Sequence, residues 1–373
     1  MKDGLGRRAV ERLARNLHAG QSSFRSEAFV AEAMEGLDAL ELKARVDRIA
    51  HIMLAYLPTR FVEAAECLRG TAQRWESGDR GDPLRGFAAW PMFRYVELAG
   101  ADDIEVAMPL LATLTPLFSA EFSVRPFIAA HPDRAFRFLL EWAEDSNASV
   151  RRLASEGCRS HLPWAPQLPI LRSEPQRILE VLERLKDDDS LYVRRSVANN
   201  LADIARDHPE VVLDCCRRWQ RGASEHRRWI IKRATRNLVK AGHPGVWSLL
   251  GYTESPQLRA LAFAVSPLEL QLGESLQIDL RLRSESEDAQ KIELDLGIHF
   301  VKASGRTARK VFKWKTIDLA PRELLSLRKR HPLRRATTRV YYPGVHRVDL
   351  LINGRPLQSA AFELHCEHGA RAY

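Results

Sequence analysis

Residues 132–152 read PDRAFRFLLEWAEDSNASVRR, and residues 175–195 read PQRILEVLERLKDDDSLYVRR. Each begins with a proline that opens an apolar-periodic segment. Each reaches Val-Arg-Arg eighteen residues later, at Val150-Arg151-Arg152 and Val193-Arg194-Arg195. Proline suits the first position of a helix, where its missing N–H has no partner to lose. Asp145-Ser146-Asn147 and Asp187-Asp188-Asp189-Ser190 then supply turn and cap chemistry before a second helix. Looser copies flank the pair: Ser123-Val124-Arg125-Pro126 before it, and His208-Pro209 leading to Arg227-Arg228-Trp229-Ile230-Ile231-Lys232 after it.

Working outward, the pattern stays helical from about residue 5 to 262. Leu42, Val46, Ile49, Met53 and Leu57 recur close to a 3.6-residue period. Two-helix units of about 35–43 residues predict an all-α, HEAT-like repeat solenoid over residues 1–265. After Ser266-Pro267 the period changes to two. Gln277–Arg283 and Lys291–Leu296 alternate strictly, and Asn353-Gly354 is a strong hairpin signal. About seven short strands predict an all-β immunoglobulin-like sandwich over residues 266–373, without the cysteine pair or core tryptophan pattern of antibody domains. Two basic loops are expected within it, over residues 302–315 and 328–339.

The 373-residue chain is 45% hydrophobic and 28% charged, which is ordinary for a globular protein with a large core. Its formal net charge of +9 favours an anionic partner. No run of about 18 apolar residues exists to span a membrane, and the N-terminal stretch lacks a signal-peptide core. Five cysteines without a CxxC pair point to free thiols in a reducing cytoplasm. His365-Cys366-Glu367-His368 has no second ligand pair spaced for zinc, so no metal and no cofactor is expected.

The second helix of each repeat carries the chemistry. Arg152, Glu156 and Arg159 are spaced i, i+4, i+7 and are expected opposite the packed face of Val150, Leu153, Ala154, Gly157, Cys158, His161 and Leu162. The next repeat offers Arg195, Asn199 and Asp203, and the following one Lys232, Arg236 and Lys240. Aligned arginines suit phosphates. Glu121, Glu156 and Asp203 do not, since acids repel DNA. Their presence fits chemistry on a cationic substrate: cleaving the N-glycosidic bond of an alkylated base builds positive charge on the sugar, which a carboxylate stabilises while orienting water. Trp164, in Leu162-Pro163-Trp164-Ala165-Pro166, could stack on a sugar or base, or equally pack between repeats.

Those strings (LTPLFSAEFSVRPFI at 114–128, NASVRRLASEGCRSHLPW at 147–164, SLYVRRSVANNLADIARDHP at 190–209 and RWIIKRATRNLVKAG at 228–242) resemble the AlkC branch of the AlkC/AlkD-like DNA alkylation repair glycosylases. The resemblance implies a monofunctional glycosylase that removes 3-methyladenine and 3-methylcytosine from duplex DNA without flipping the base. It implies Glu121, Glu156 and Asp203 as catalytic carboxylates with Trp164 beside them, and Arg152, Arg159 and Arg195 as phosphate contacts. Further DNA contacts are expected from Arg125, Arg151, Arg194, Lys232, Arg236 and Lys240. The second domain is expected to add Arg306, Arg309, Lys310, Arg334 and Arg335. A monomer free in the bacterial cytoplasm is expected. The rival readings are a non-enzymatic DNA-binding scaffold and a protein–protein adaptor.

Overall fold

The computed structural model describes residues 2–334 and 340–366. Its helices are α1 Arg7–Gly20, α2 Ser26–Met34, α3 Leu42–Tyr56, α4 Phe61–Gln73, α5 Trp90–Ala99, α6 Ile104–Leu114, α7 Arg125–Ala130 and α8 Pro132–Trp142. They continue with α9 Ala148–Gly157, α10 Pro169–Ser173, α11 Pro175–Leu185, α12 Leu191–Asp207, α13 Pro209–Gln220, α14 Glu225–Ala234, α15 Arg236–Ala241 and α16 Gly245–Leu249. The strands are β1 Leu258–Ser266, β2 Glu269–Gln271, β3 Ser275–Ser284, β4 Gln290–Val301, β5 Thr307–Leu319, β6 Leu324–Pro332, β7 Gly344–Ile352 and β8 Arg355–His365. Two compact units result: Met1–Val212 with Arg221–Ala234, and Leu213–Gln220 with Thr235–Tyr373.

The first unit is a stack of helix pairs. Pro132, Pro175 and Pro209 each open a helix, as the repeat predicts. Within the stack α9 packs on α12, α8 on α11, and α12 on α14. Ile178, Leu182 and Leu185 of α11 and Val193, Val197, Leu201 and Ile204 of α12 are buried between layers. The Gly157 Cα–H lies so close to Val124 that a Cβ there would meet the Val124 side chain at 2.5 Å. Helix α9 ends at that residue, which places Arg159 and His161 beyond it rather than on its faces.

The second unit holds a sandwich of two sheets, with strand orders β1-β3-β6 and β2-β8-β7-β4-β5. Alternate residues of β4 (Ile292, Leu294, Leu296, Ile298, Phe300) face the core. Trp314 packs against both of its apolar clusters. Asn353 and Gly354 both have positive φ, 47° and 72°, as the tight turn between β7 and β8 requires. Strands begin at Leu258, ahead of the boundary expected at Ser266-Pro267. The segment LRALAFAVS is alanine-rich and its register shifts between Ala260 and Ala262, so alternation is hidden in the sequence. The short β2 was not legible either. Most of the expected basic loops is strand: β5 covers 307–319 and β6 covers 324–332, their exposed positions carrying the charge. Among the described residues no helix is long and apolar enough to cross a membrane. None of the five cysteines is in a disulfide, and no His/Cys/Asp/Glu cluster suits a metal among the described residues.

On the face of β4 away from the core, Glu293 and Asp295 are both buried. Glu293 binds Lys313 at 2.7 Å and accepts from the Tyr252 hydroxyl at 3.0 Å. Burial lifts the Asp295 carboxyl to about 6, and the Glu293 charge pushes the same way against Lys313. The folded protein therefore holds this proton more tightly than an unfolded chain, whose aspartates titrate near 3.9. Stability should rise as pH falls from about 6 towards 4 on this account, and the penalty is fully present above about pH 6. Asp295→Asn is expected to raise the calorimetric unfolding midpoint of this unit by several degrees at pH 8 and by nothing near pH 4. An equal shift at both pH values would contradict the assignment.

Candidate active site

Four segments of the first unit bring five charged side chains into one chain of ion pairs: the turn before α7, helix α9, the residues just after it, and helix α12. Glu121 pairs with Arg152, which also donates to the Ser119 hydroxyl at 2.6 Å. Arg152 approaches Glu156 at 3.4 Å, and its guanidinium lies over the Tyr192 ring, 5.2 Å from the centroid. Glu156 accepts from Arg159 at 2.6 Å, and Arg159 in turn donates to Asp203 at 2.8 Å. The signs alternate along the chain, acid–base–acid–base–acid, and these five groups sum to one negative charge. Arg206 reaches Asp203 from the solvent side at only 3.9 Å.

Burial makes this arrangement consequential. The side chains of Glu121, Glu156 and Asp203 are 16%, 8% and 4% exposed. An isolated buried charge would cost several kcal/mol, so each needs its neighbour. Arg159 shows the balance. Burial alone would lower its pKa, but the charges and hydrogen bonds of Glu156 and Asp203 outweigh that and hold it above the ordinary value. The second oxygen of Glu156 accepts from Ser196 at 2.6 Å, Ser196 also meets Ser155 at 2.9 Å, and Asn200 donates to the Ser155 carbonyl at 2.7 Å. Ser196, Asn200 and Asp203 are thus a buried polar stripe on α12. It had a signal: Val193, Ser196, Asn200 and Asp203 lie at i, i+3, i+7 and i+10, a helical face on which polar residues replace apolar ones. Pairing Asp203 with Arg195 and Asn199 instead rotated that face outward.

Trp164 sits in a strained loop five residues beyond Arg159. Its φ of +68° is unusual for a non-glycine residue, a conformation that costs of order 1–3 kcal/mol. The surroundings enforce it. Lys43 donates to the Trp164 carbonyl at 2.7 Å and Arg125 to the Pro166 carbonyl at 2.8 Å. Just upstream His161 meets Asp207 at 2.7 Å, and Arg172 clamps the same carboxylate, holding it down at about 2. The indole itself is 63% exposed.

The arginines divide by role. Arg125 is buried and donates to the carbonyls of Gly157, Arg159 and Pro166, which closes the end of α9. Burial pulls its guanidinium below the ordinary value. It is a clamp inside the protein and not the exposed phosphate contact the repeat suggested. Arg151 donates to the carbonyls of Asp145 and Ser146, and Arg194 to those of Asp188 and Asp189. The first arginine of each Val-Arg-Arg therefore locks the turn before its own helix; Arg151 also binds Asp188 of the next repeat at 2.6 Å. Arg159, expected at phosphate, is spent on two carboxylates. Arg195 and Lys232 are exposed on α12 and α14. The helix expected to carry Lys232, Arg236 and Lys240 together breaks at Thr235, and the unit boundary falls there. In the second unit Arg306, Arg309, Lys310 and Arg334 are exposed; Arg335 lies outside the described residues.

Comparison with known proteins places this geometry. Residues 118–238 match the family model described as DNA alkylation repair enzyme. Residues 259–366 match the uncharacterised protein YhaZ, C-terminal Ig-like domain. The uncharacterised protein YhaZ of Bacillus subtilis is 33% identical, over 98% of this chain and 99% of its own. The solved structure of Pseudomonas fluorescens alkylpurine DNA glycosylase AlkC, bound to DNA containing an abasic site analog, is 34% identical with a TM-score of 0.82. It covers 98% of this chain and 99% of that one. The chain belongs to the AlkC family of DNA alkylation repair proteins. Within that AlkC-type architecture, a helical unit followed by an Ig-like one, the ion-pair chain lies wholly in the segment matching the repair-enzyme model.

The division of arginines can be checked by stability. Arg125→Ala leaves the buried Gly157 and Arg159 carbonyls without this donor, at roughly 1–3 kcal/mol each before relaxation, and frees the part-buried Pro166 carbonyl. Its urea midpoint should fall sharply, while Arg195→Ala should stay within about 0.5 kcal/mol of the parent. Equal, small effects from both would show that Arg125 is no clamp.

Proposed function

We propose that this protein is a monofunctional DNA glycosylase that hydrolyses the N-glycosidic bond of cationic alkylated bases, 3-methyladenine and 3-methylcytosine, in duplex DNA. The observation that carries the reading is the buried chain Glu121–Arg152–Glu156–Arg159–Asp203, with its excess of negative charge. A surface built only to hold DNA would gain nothing from three acids; a site that must stabilise a sugar cation gains directly. As the C1′–N bond breaks, its electron pair returns to the base and neutralises it, so no strong general acid is needed. Positive charge develops on the sugar, where preorganised carboxylates in a poorly solvated site act strongly. One of them orients the water that adds to C1′ and takes up its proton. Glu121, the most accessible of the three, is the acid best placed to reach the substrate, and Trp164 packs against the sugar.

The relative of solved structure is an alkylpurine DNA glycosylase bound to DNA containing an abasic site analog, which supports DNA as the partner. Exposed Arg195, Lys232 and Lys240, with the half-buried Arg236, supply phosphate contacts, and Arg306, Arg309, Lys310 and Arg334 of the Ig-like unit add a second set. Because the site acts on the sugar of the lesion and requires no enclosing base pocket at the carboxylates, the base need not be flipped. The protein is proposed to act as a monomer on the nucleoid in the cytoplasm.

Incubation with methylated duplex DNA at enzyme excess, followed by chromatography of free bases, should release 3-methyladenine and 3-methylcytosine; release of neither overturns the proposal. DNA affinity should also fall steeply with salt, and changing Arg306, Arg309 and Lys310 together to Ala should flatten that slope by about three phosphate contacts. An unchanged slope would remove the Ig-like unit from the interface.

A further inference from the structure

The first unit also contains a cleft of about 570 Å³, of whose lining the reaction as described uses only Trp164. This lies within the range of pockets that enclose small molecules. One wall is aromatic: Trp90 and Phe122 lie nearly parallel, with centroids 6.1 Å apart and planes at 22°. Trp164 stands among the lining residues with its indole largely exposed, fixed by the strained loop described above. The polar lining is equally defined. Arg94 lies between Asp47 at 2.8 Å and Glu97 at 2.7 Å, two acids around one base. Lys43 lies over the Phe122 ring at 5.9 Å. Aromatic surface with carboxylate acceptors and an ammonium donor at its edges fits a flat ring that carries both an amino group and ring nitrogens.

The cleft also adjoins the chemistry. Phe122 directly follows Glu121 in sequence, and Arg125, which lines the cleft, holds the carbonyls of Gly157 and Arg159 at the foot of the ion-pair chain. We propose that this cleft binds the free alkylated base after the glycosidic bond is broken, as a product site for a planar, amino-bearing methylated purine. The inference rests on the glycosylase reading for the identity of the ring. Trp90 and Phe122 stack one face of it, the Asp47 and Glu97 carboxylates accept from its amino group, and Lys43 donates to a ring nitrogen.

Isothermal titration of the full-length protein, without DNA, with free 3-methyladenine tests this. Saturable one-to-one binding is expected, weakened at least tenfold by Phe122→Ala. Ala44→Trp, at an exposed position of α3 that lines the cleft, should weaken it comparably without disturbing the core. Absence of saturable binding, or binding that neither substitution weakens, overturns the product site. The two proposals separate cleanly. A protein that releases bases from DNA yet does not bind the free base refutes the cleft alone. One that binds the base yet releases none refutes the glycosylase reading.

Discussion

Three carboxylates and two guanidinium groups alternate strictly in the first unit, with Glu156, Arg159 and Asp203 buried and Glu121 and Arg152 partly so, and much of the local structure holds them there. Removing any one member would strand a charge in a poorly solvated place, which is far more costly than losing an exposed salt bridge. Three stretches distant in sequence must therefore meet in one register: the turn at Glu121, helix α9 with the residues just past Gly157, and helix α12. Gly157 permits the close approach of Val124, Ser196 fixes the free oxygen of Glu156, and Arg125 ties the end of α9 to the loop carrying Trp164. The site is rigid because its charges leave it no other arrangement.

That rigidity bears on catalysis. A group that stabilises a transition state helps most when it needs no reorganisation at the moment of reaction. Here the acids are already paired with arginines before any substrate arrives, and the indole of Trp164 is already held out in a strained backbone conformation. The arginines between the acids offset the cost of their burial, and in the proposed function the phosphate-facing role falls to exposed cations on other helices and on the second unit. In the repeated Val-Arg-Arg motif the first position, Arg151 or Arg194, locks a turn, whereas the second diverges: Arg152 joins the ion-pair chain and Arg195 is exposed.

The architecture was largely legible because it rests on periodicity. Proline-opened helices at Pro132 and Pro175 and the Asn353-Gly354 hairpin are local signals, and the structure has them where the sequence places them. Strand β1 was not legible, since its alanine-rich segment and register shift suppress alternation. The candidate acids were legible as residue types out of place among arginines. Their environment was not: helix spacing places Arg152, Glu156 and Arg159 on one solvated face, whereas Glu156 and Arg159 are buried under α12. Burial of that kind depends on which layer stacks above a helix, a long-range fact that local spacing does not carry. Arg125 misled for the same reason, because nothing in Ser-Val-Arg-Pro reveals the three carbonyls it meets.

The central claim is that the buried acids serve the reaction and not the grip on DNA. Glu156→Gln keeps the shape and, through its amide oxygen, the bond accepted from Arg159, reverses the bond to Ser196 so that the amide nitrogen donates to the hydroxyl, and removes one negative charge from the middle of the chain. Single-turnover excision of 3-methyladenine, measured alongside duplex affinity, separates the two roles. The account predicts a fall in rate of roughly a hundredfold or more, with affinity unchanged or tightened. A rate within a few-fold of the parent, or a loss explained wholly by weaker DNA binding, would contradict it.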